Sequence, residues 1–134
     1  MLLTDAEGTP VGVDVKSASP HEVTLIESLM TRSQRDLPKQ CRLLYDKAAD
    51  SEPLRKRLRV LGTRLIAPFR KWRGRPQRRL SVNDARHYAN RWKVERTFSW
   101  LKRFRRLVVR WEYHAHLFAG FWHLGCLFTI LKGL

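Results

Sequence analysis

The sequence predicts an α/β fold, on three observations. Short strand-like segments alternate with helix-like segments, an order typical of layered α/β proteins. Two of the apolar runs, residues 41–46 and 63–68, flank a helical segment, which favours parallel pairing through a helical crossover. From Ser81 onward, helix-forming residues dominate. In such sheets the ligand crevice lies at the carboxyl ends of parallel strands, which is where Asp46 falls.

The N-terminal segment predicts a hairpin followed by a helix. In residues 1–16 the runs LLT and VGVDVK flank DAEGTP, a sequence typical of a turn. A helix is then expected from about 20 to 32. Ser19 would be its N-cap, Pro20 would occupy the first helical position, and Glu22 would complete a capping box.

The middle of the chain predicts two strands joined by a helix. CRLLYD, residues 41–46, is a short strand pattern that ends at Asp46. SEPLRKRLRVLG, residues 51–62, predicts a helix that is capped by Ser51 and stopped by Gly62. TRLIAP, immediately after this helix, predicts the second strand.

The C-terminal half predicts a cationic loop and a long helical segment. Glycine and prolines interrupt residues 68–80, so no regular structure is expected there. Helix is expected from Ser81, with Asp84 in its first turn, to the C-terminus with a break near 111–114. The apolar run 117–131 is shorter than the ~20 residues needed to span a bilayer, so a buried helix is predicted instead of a membrane span.

The charge of the chain favours a polyanionic partner. The formal net charge is +15, and 20 of the 27 lysines and arginines lie between Arg55 and Arg110. Nucleic acid is the first candidate, since phosphate neutralisation by cations releases counterions. A solvated basic face is the alternative. Cys41 and Cys126 lack metal-binding spacing and MLLTDAEG lacks the features of an export signal, so a reduced, cytoplasmic chain is expected.

One carboxylate stands alone in the basic C-terminal region. Glu95 is the only acid in residues 88–107. If this stretch is one helix, Tyr88, Arg91, Glu95 and Lys102 fall within an arc of about 60°. The adjoining arc would pack on the sheet through apolar residues: Val94, Phe98, Leu101 and Val108. Glu95 would then lie between core and basic surface, either as a salt-bridge partner of its neighbours or as a functional acid.

The spacing of these four residues, Y-x2-R-x3-E-x6-K, resembles the signature of bacterial insertion-sequence transposases of the DDE superfamily. The surrounding RWKVERTFSWLKRFRRLVVRWE is similar to the C-terminal block of that family. The upstream segments LLTDAEGTPVGVDVKSASPHE and LLYDKAADSEPLRKRL resemble its hairpin and the block around its second catalytic aspartate. The resemblance extends from about residue 2 to 131.

This resemblance implies a ribonuclease-H-like mixed sheet with flanking helices, and a site in which three carboxylates hold two Mg²⁺ (or Mn²⁺) ions. Asp46 would be the second acid and Glu95 the third, both as catalytic metal ligands. Arg91 and Lys102 would hold phosphates, and Tyr88 would contact DNA. Magnesium prefers oxygen ligands, and paired ions stabilise the attacking and leaving oxygens of phosphodiester exchange. The implied partners are transposon-end and target DNA, with a homo-oligomer in the complete protein.

The first acid of the triad is expected to lie outside this chain. Asp5 begins a turn, and only two strands precede the first helix where the ribonuclease-H arrangement has three. Asp14 and Asp50 are weaker candidates. Residues 1–134 are therefore expected to form a partial catalytic domain that lacks its first strand, with an upstream-frame half as a partner. Ala49 stands where the family usually has an aromatic residue, which puts the local packing in question.

Two other classes of function remain open. A non-enzymatic DNA-binding module could use the loop 68–80 and the helix 81–110, with Trp72, Trp92 and Trp100 stacking on bases.

A membrane-surface protein would combine the cationic face with the apolar C-terminus, but that helix lacks a clear polar face. His114 and His116 would diverge on a helix, so surface histidines are expected there instead of metal ligands.

Overall fold

A computed structural model describes residues 1–16, 22–74 and 76–133 of the chain. Four short strands are present: β1 (Leu2–Thr4), β2 (Pro10–Val13), β3 (Cys41–Leu44) and β4 (Thr63–Ile66). The α-helices are α1 (Glu22–Ser33), α2 (Glu52–Val60), α3 (Val82–Tyr88), α4 (Trp92–Leu101), α5 (Arg105–Val108) and α6 (Ala115–Leu131). Single 3₁₀ turns cover Gln34–Asp36, Lys47–Ala49 and Ala89–Arg91. The mixed α/β content agrees with the predicted fold class.

The chain divides into two compact units. The first unit contains Met1–Pro20 and Trp92–Leu134, and the second unit contains His21–Arg91.

The first unit is built on the N-terminal hairpin. Strands β1 and β2 are antiparallel, with Leu2 opposite Val13. Helix α4 packs against β1, and α6 packs against β2, α4 and α5. The core consists of buried Leu101, Leu107 and Cys126. Partly buried apolar residues surround it: Leu2, Val13, Phe104, Phe121 and Trp122. Burial raises the pKa of the Cys126 thiol, so this side chain acts as a neutral core residue.

The second unit is a parallel strand pair covered by helices. Strand β3 pairs with β4 from Cys41 opposite Thr63 to Leu44 opposite Ile66, which confirms the predicted crossover. Helix α2 packs on β4, and α1 packs on α2. The buried apolar residues of this unit are Ile26, Leu29, Met30, Leu43, Ala49, Leu54, Leu58, Leu65, Ile66 and Ala67.

Local signals in the sequence placed the ends of α2 correctly. The Ser51 hydroxyl accepts a hydrogen bond from the Leu54 amide at 3.4 Å, as expected of an N-cap. Gly62 ends the helical segment with φ +74°, and a Cβ at that position would overlap the carbonyl oxygen of Lys39. Only glycine fits both the backbone angle and this close approach.

Other expectations about the elements need correction. Within the described ranges, the strands form two separate two-stranded sheets instead of one mixed sheet. Strand β3 ends at Leu44 and not at Asp46, although the Tyr45 amide still donates to Ile66 at 3.0 Å. The predicted capping box depends on Ser19 and Pro20, which lie outside the described residues.

The long C-terminal helix was predicted with one break, and it has more. The break predicted near 111–114 is confirmed and extends over 109–114. A second break follows α4, where Arg103 and Phe104 donate i→i−3 hydrogen bonds to Trp100 and Leu101 and so tighten the backbone. Val108, expected in the core, is 59% exposed.

Helix α6 is buried on one face only. Gly125, Cys126 and Thr129 are buried. Its other face exposes large apolar side chains: Leu117, Leu124, Leu127, Phe128, Ile130 and Leu131. The prediction of a buried helix was therefore wrong for this exposed face. In the part of the chain that the structure describes, no helix has the length and apolar character required to cross a membrane.

The two histidines at the start of α6 do not diverge as predicted. His114 is the N-cap of α6 and has extended backbone angles. Its ring therefore stacks on that of His116, with 5.3 Å between centroids. Both side chains are exposed.

Candidate functional site

Asp46 lies just beyond the carboxyl end of β3, the edge at which open α/β sheets place ligands. It is the N-cap of the 3₁₀ turn Lys47–Ala49, and its Oδ1 accepts a hydrogen bond from the Ala48 amide at 2.7 Å. This bond fixes the orientation of the carboxylate. The side chain is exposed, so the second oxygen, Oδ2, is available to a ligand.

The turn that carries Asp46 is held by two arginines. Arg70 donates from Nε to the carbonyl of Lys47 at 3.1 Å and from Nη2 to that of Ala48 at 2.9 Å. The Arg70 amide donates to Asp50 Oδ2 at 2.7 Å, and Asp50 Oδ1 accepts from Arg55 Nη2 at 3.1 Å. Asp50 therefore joins two loops of the second unit, a role that the sequence did not reveal.

Arg55 completes this network from α2. Its Nη1 donates to the Leu65 carbonyl at 2.9 Å and its Nη2 to the Ala67 carbonyl at 3.0 Å. Ala49, the residue at which the sequence left the local packing in question, is fully buried in the same turn. The packing there is intact.

Glu95 lies in the first turn of α4, and its side chain is exposed. The hairpin of the first unit is fastened to this helix by three side chains. Lys93 Nζ donates to the Ala6 carbonyl at 2.5 Å, Arg96 Nη2 to the Glu7 carbonyl at 2.6 Å, and Thr97 Oγ1 to the Gly8 carbonyl at 2.6 Å. Three consecutive carbonyls of the turn thus determine where the helix that bears Glu95 lies against the hairpin.

The turn itself is shaped by Asp5 and Gly8. Asp5 Oδ1 accepts hydrogen bonds from the amides of Glu7 at 3.0 Å and Thr9 at 2.8 Å, which confirms its predicted role in the turn. Gly8 has φ +95°, and a Cβ there would lie 3.1 Å from Thr97 Oγ1. The glycine therefore allows the turn and the helix to approach each other.

Replacing Thr97 by valine is expected to destabilise the protein by about 1–3 kcal/mol, because the change leaves the Gly8 carbonyl without its buried donor. Urea denaturation followed by circular dichroism measures the difference. Ser99→Ala is the matched control, since that hydroxyl donates only to the Glu95 carbonyl of its own helix at an exposed position. Its effect should stay within about 0.5 kcal/mol. Equal losses in the two variants would contradict a role for Thr97 in fastening the hairpin.

The four residues of the Tyr-Arg-Glu-Lys spacing do not share one continuous helix. Tyr88 ends α3 and Arg91 lies in a 3₁₀ turn, with the Arg91 guanidinium 6.0 Å from the centre of the Tyr88 ring. Glu95 lies on α4, and Lys102 follows the end of that helix with an exposed side chain. Tyr88, Arg91 and Asp46 belong to the second unit, and Glu95 and Lys102 belong to the first. The 60° arc calculated for a single helix was therefore wrong.

Aromatic and cationic side chains alternate along α4. The Arg96 guanidinium lies 5.0 Å from the centre of the Trp92 ring and 4.6 Å from that of Trp100, so it is held between two indoles. Trp92 is 50% exposed. The i, i+4, i+8 spacing could have revealed this ladder from the sequence.

The carboxylate oxygens of the candidate site suit a hard cation, but they are few. Within residues 1–16, 22–74 and 76–133, no group of three or more His, Cys, Asp or Glu side chains is arranged to hold a metal ion. Asp46 presents an accessible carboxylate oxygen, and Glu95 presents an exposed carboxylate. Both are the ligand type that Mg²⁺ and Mn²⁺ prefer.

Comparison with known proteins identifies the family. Residues 1–130 match the model of the transposase DDE domain. The chain is also 35% identical over 132 residues to the "Putative transposase for insertion sequence element IS402" of Burkholderia cepacia, a match that covers 93% of this chain and 58% of that protein. The chain thus spans little more than half the length of this relative. No solved structure matches it significantly. The chain belongs to the DDE transposase domain family.

Proposed function

We propose that this chain is the part of a DNA transposase that carries two of its catalytic carboxylates, of the Tyr-Arg-Glu-Lys type and with a ribonuclease-H-like fold. The reaction is metal-dependent cleavage and joining of phosphodiesters at the ends of an insertion sequence. The observation that carries the proposal is the position of Asp46. In a member of the DDE family, an oriented, accessible carboxylate follows the carboxyl end of a parallel strand.

Asp46 and Glu95 would hold the divalent ions, which would stabilise the attacking and leaving oxygens of the phosphodiester when bound. The family generally uses divalent metals. The network of Asp50, Arg55 and Arg70 keeps the Asp46 turn in place before any ion arrives, and such preorganisation lowers the cost of assembling a site.

The cations of the motif have a separate task in this proposal. Arg91 and Lys102 bind phosphates of the DNA strand, and Tyr88 contacts the strand beside Arg91. Charged donors to phosphate fix the register of the backbone without reading its sequence. In this proposal the many cations near Glu95 bind the DNA substrate, whereas Glu95 itself binds the metal.

The active enzyme needs more than this chain. Two carboxylates do not complete a three-acid site, and the IS402 relative is considerably longer than the region that matches. We propose that residues 1–134 form a partial catalytic domain whose first acid lies on an upstream segment, and that the complete protein acts as a homo-oligomer on transposon-end and target DNA.

The isolated chain is expected to nick DNA poorly, and the chain joined to the sequence encoded upstream of it is expected to nick transposon ends only with Mg²⁺ or Mn²⁺. Conversion of a supercoiled plasmid that carries those ends to the nicked form measures this activity. EDTA should stop the reaction and excess Mg²⁺ should restore it, because the carboxylates act only through the ions. Robust nicking by the isolated chain that is lost in Asp5→Asn would instead make Asp5 the first acid.

A second candidate function is DNA binding without catalysis. The ladder of Trp92, Arg96 and Trp100 favours it, since an exposed indole such as that of Trp92 is suited to stacking on an unpaired base. Both functions predict strong salt dependence, so they are separated by metal-dependent cleavage and by its loss when a carboxylate is changed.

A further inference from the structure

The second unit contains a cationic cavity whose lining includes neither Asp46 nor the other residues assigned to catalysis or DNA contact. It has a volume of about 320 Å³ and lies among α2, β4 and the segment that leads into α3. Five arginines line it: Arg55, Arg59, Arg64, Arg78 and Arg79. Two acids, Glu52 and Asp84, also line it, so cations exceed acids by three (five minus two).

Not all of these arginines are engaged by the protein. Arg55 is bound to Asp50 and to backbone carbonyls, and Arg64 pairs with Asp84 at 2.7 Å. The guanidiniums of Arg59, Arg78 and Arg79 form no hydrogen bond or ion pair within the ranges that the structure describes. Glu52 also lines the cavity and forms no ion pair within those ranges, so the unpaired groups sum to a charge of +2 (three minus one). This excess raises the local positive potential and favours an anion.

Phe69 restricts the side chain of Arg78, one of the three unpaired arginines. The Arg78 guanidinium lies 4.1 Å from the centre of the Phe69 ring, and Arg55 lies 5.0 Å from the same centre. Cation–π contact restricts the Arg78 side chain, so less rotamer entropy is lost when a ligand binds. The planar fork of arginine also matches two oxygens of a phosphate group.

We propose that this cavity binds a backbone phosphate of a DNA strand through Arg59, Arg78 and Arg79. A phosphodiester fits better than a carboxylate-bearing partner because the cations continue along the adjoining loop as Lys71 and Arg73, as a repeating anion requires. The inference rests on the proposed function for the identity of the strand only. Phosphate binding itself does not depend on the carboxylates or on cleavage.

The test is the salt dependence of DNA binding by the whole chain. Fluorescence anisotropy with a labelled 20-base-pair duplex of arbitrary sequence gives the dissociation constant at several KCl concentrations. Arg59→Ala/Arg79→Ala is expected to weaken binding about tenfold at low salt and to reduce the slope of log K against log[salt] by about one, as for the loss of one phosphate contact.

The matched control is Arg35→Ala/Arg42→Ala, which removes the same charge from exposed positions of the same unit. It should change the affinity by less than about twofold. Equal losses in the two double variants would show that only net charge matters and would overturn the proposed site.

The variant Arg59→Lys/Arg79→Lys keeps the charge. It tests the site independently of any misfolding of the alanine variant. It is expected to weaken binding several-fold because an ammonium cannot replace the guanidinium fork; wild-type affinity would overturn the proposal. A nicking assay keeps the two proposals apart. Carboxylate variants that still cleave DNA would refute the catalytic proposal and leave the phosphate site standing, whereas normal binding by the alanine double variant would refute the phosphate site alone.

Discussion

A Glu95→Gln variant, made in the chain joined to its upstream segment, is expected to retain DNA binding and to lose DNA cleavage. Glutamine has nearly the same shape as glutamate but is a neutral and much weaker ligand for a hard divalent cation. Metal ions supply several kcal/mol of transition-state stabilisation in such reactions. We therefore expect the cleavage rate to fall on the order of 10³-fold, which corresponds to about 4 kcal/mol.

The affinity of the variant for DNA should rise or stay the same. Glu95 is exposed, and its removal takes a negative charge out of a basic region, so repulsion of the phosphate backbone decreases. Anisotropy with labelled DNA and plasmid nicking, measured on the same preparation, give the two quantities separately. A protein that only binds DNA would show no metal-dependent cleavage in either form.

Glu7→Gln is the control for this experiment. Glu7 is an exposed glutamate in the same unit, and its backbone carbonyl, which accepts from Arg96, is retained in the variant. It should bind and cleave as the wild type does. Unchanged cleavage in Glu95→Gln would remove Glu95 from the site and leave the DNA-binding module as the better interpretation.

Signals carried by short stretches of sequence predicted much of the fold. The turn sequence DAEGTP, the cap at Ser51 and the stop at Gly62 each act through neighbouring residues, and each is confirmed. The break after α4 was missed because its residues, Lys102 to Phe104, have no strong tendency to end a helix. Phe104 packs against a core that includes Cys126, a contact that is distant in sequence and that local helix propensity does not encode.

The contacts that shape the candidate site could not be predicted from the sequence either. Lys93, Arg96 and Thr97 bind carbonyls that lie 87 to 89 residues away along the chain, and no local pattern encodes such a pairing. A basic sequence likewise does not show which cations are used for structure. Arg55 and Arg70 hold the turn of Asp46, whereas Arg59 and Arg79 remain available to a ligand.

The close packing of α6 in the first unit depends on Gly125. A Cβ at this position would lie 2.7 Å from Leu107 Cδ1 and 3.3 Å from Leu101 Cδ2. A Cβ at Gly120, in the same helix, would meet no neighbouring side chain within 4 Å. The two glycines therefore share a helical backbone but differ in packing. Replacing each of them by alanine tests that difference.

Gly120→Ala is expected to stabilise the protein by about 0.5–1 kcal/mol through helix propensity alone. Gly125→Ala should gain the same propensity but lose about 1–3 kcal/mol to overpacking against Leu107. The free energy of unfolding in urea measures both effects. If Gly125→Ala stabilises the protein as much as Gly120→Ala does, the close contact with Leu107 does not contribute to the free energy of unfolding.

Leu107→Ala is expected to cost about 2–5 kcal/mol, because this buried residue leaves a cavity in the small core with Leu101 and Cys126. The methyl group of Gly125→Ala would point into that cavity, since the atom it would meet, Leu107 Cδ1, has been removed. The double variant should therefore be more stable than the sum of the single changes by about 0.5–3 kcal/mol. Strict additivity would mean that α6 and α5 do not pack closely at this point, and the arrangement of the core around α4 would need revision.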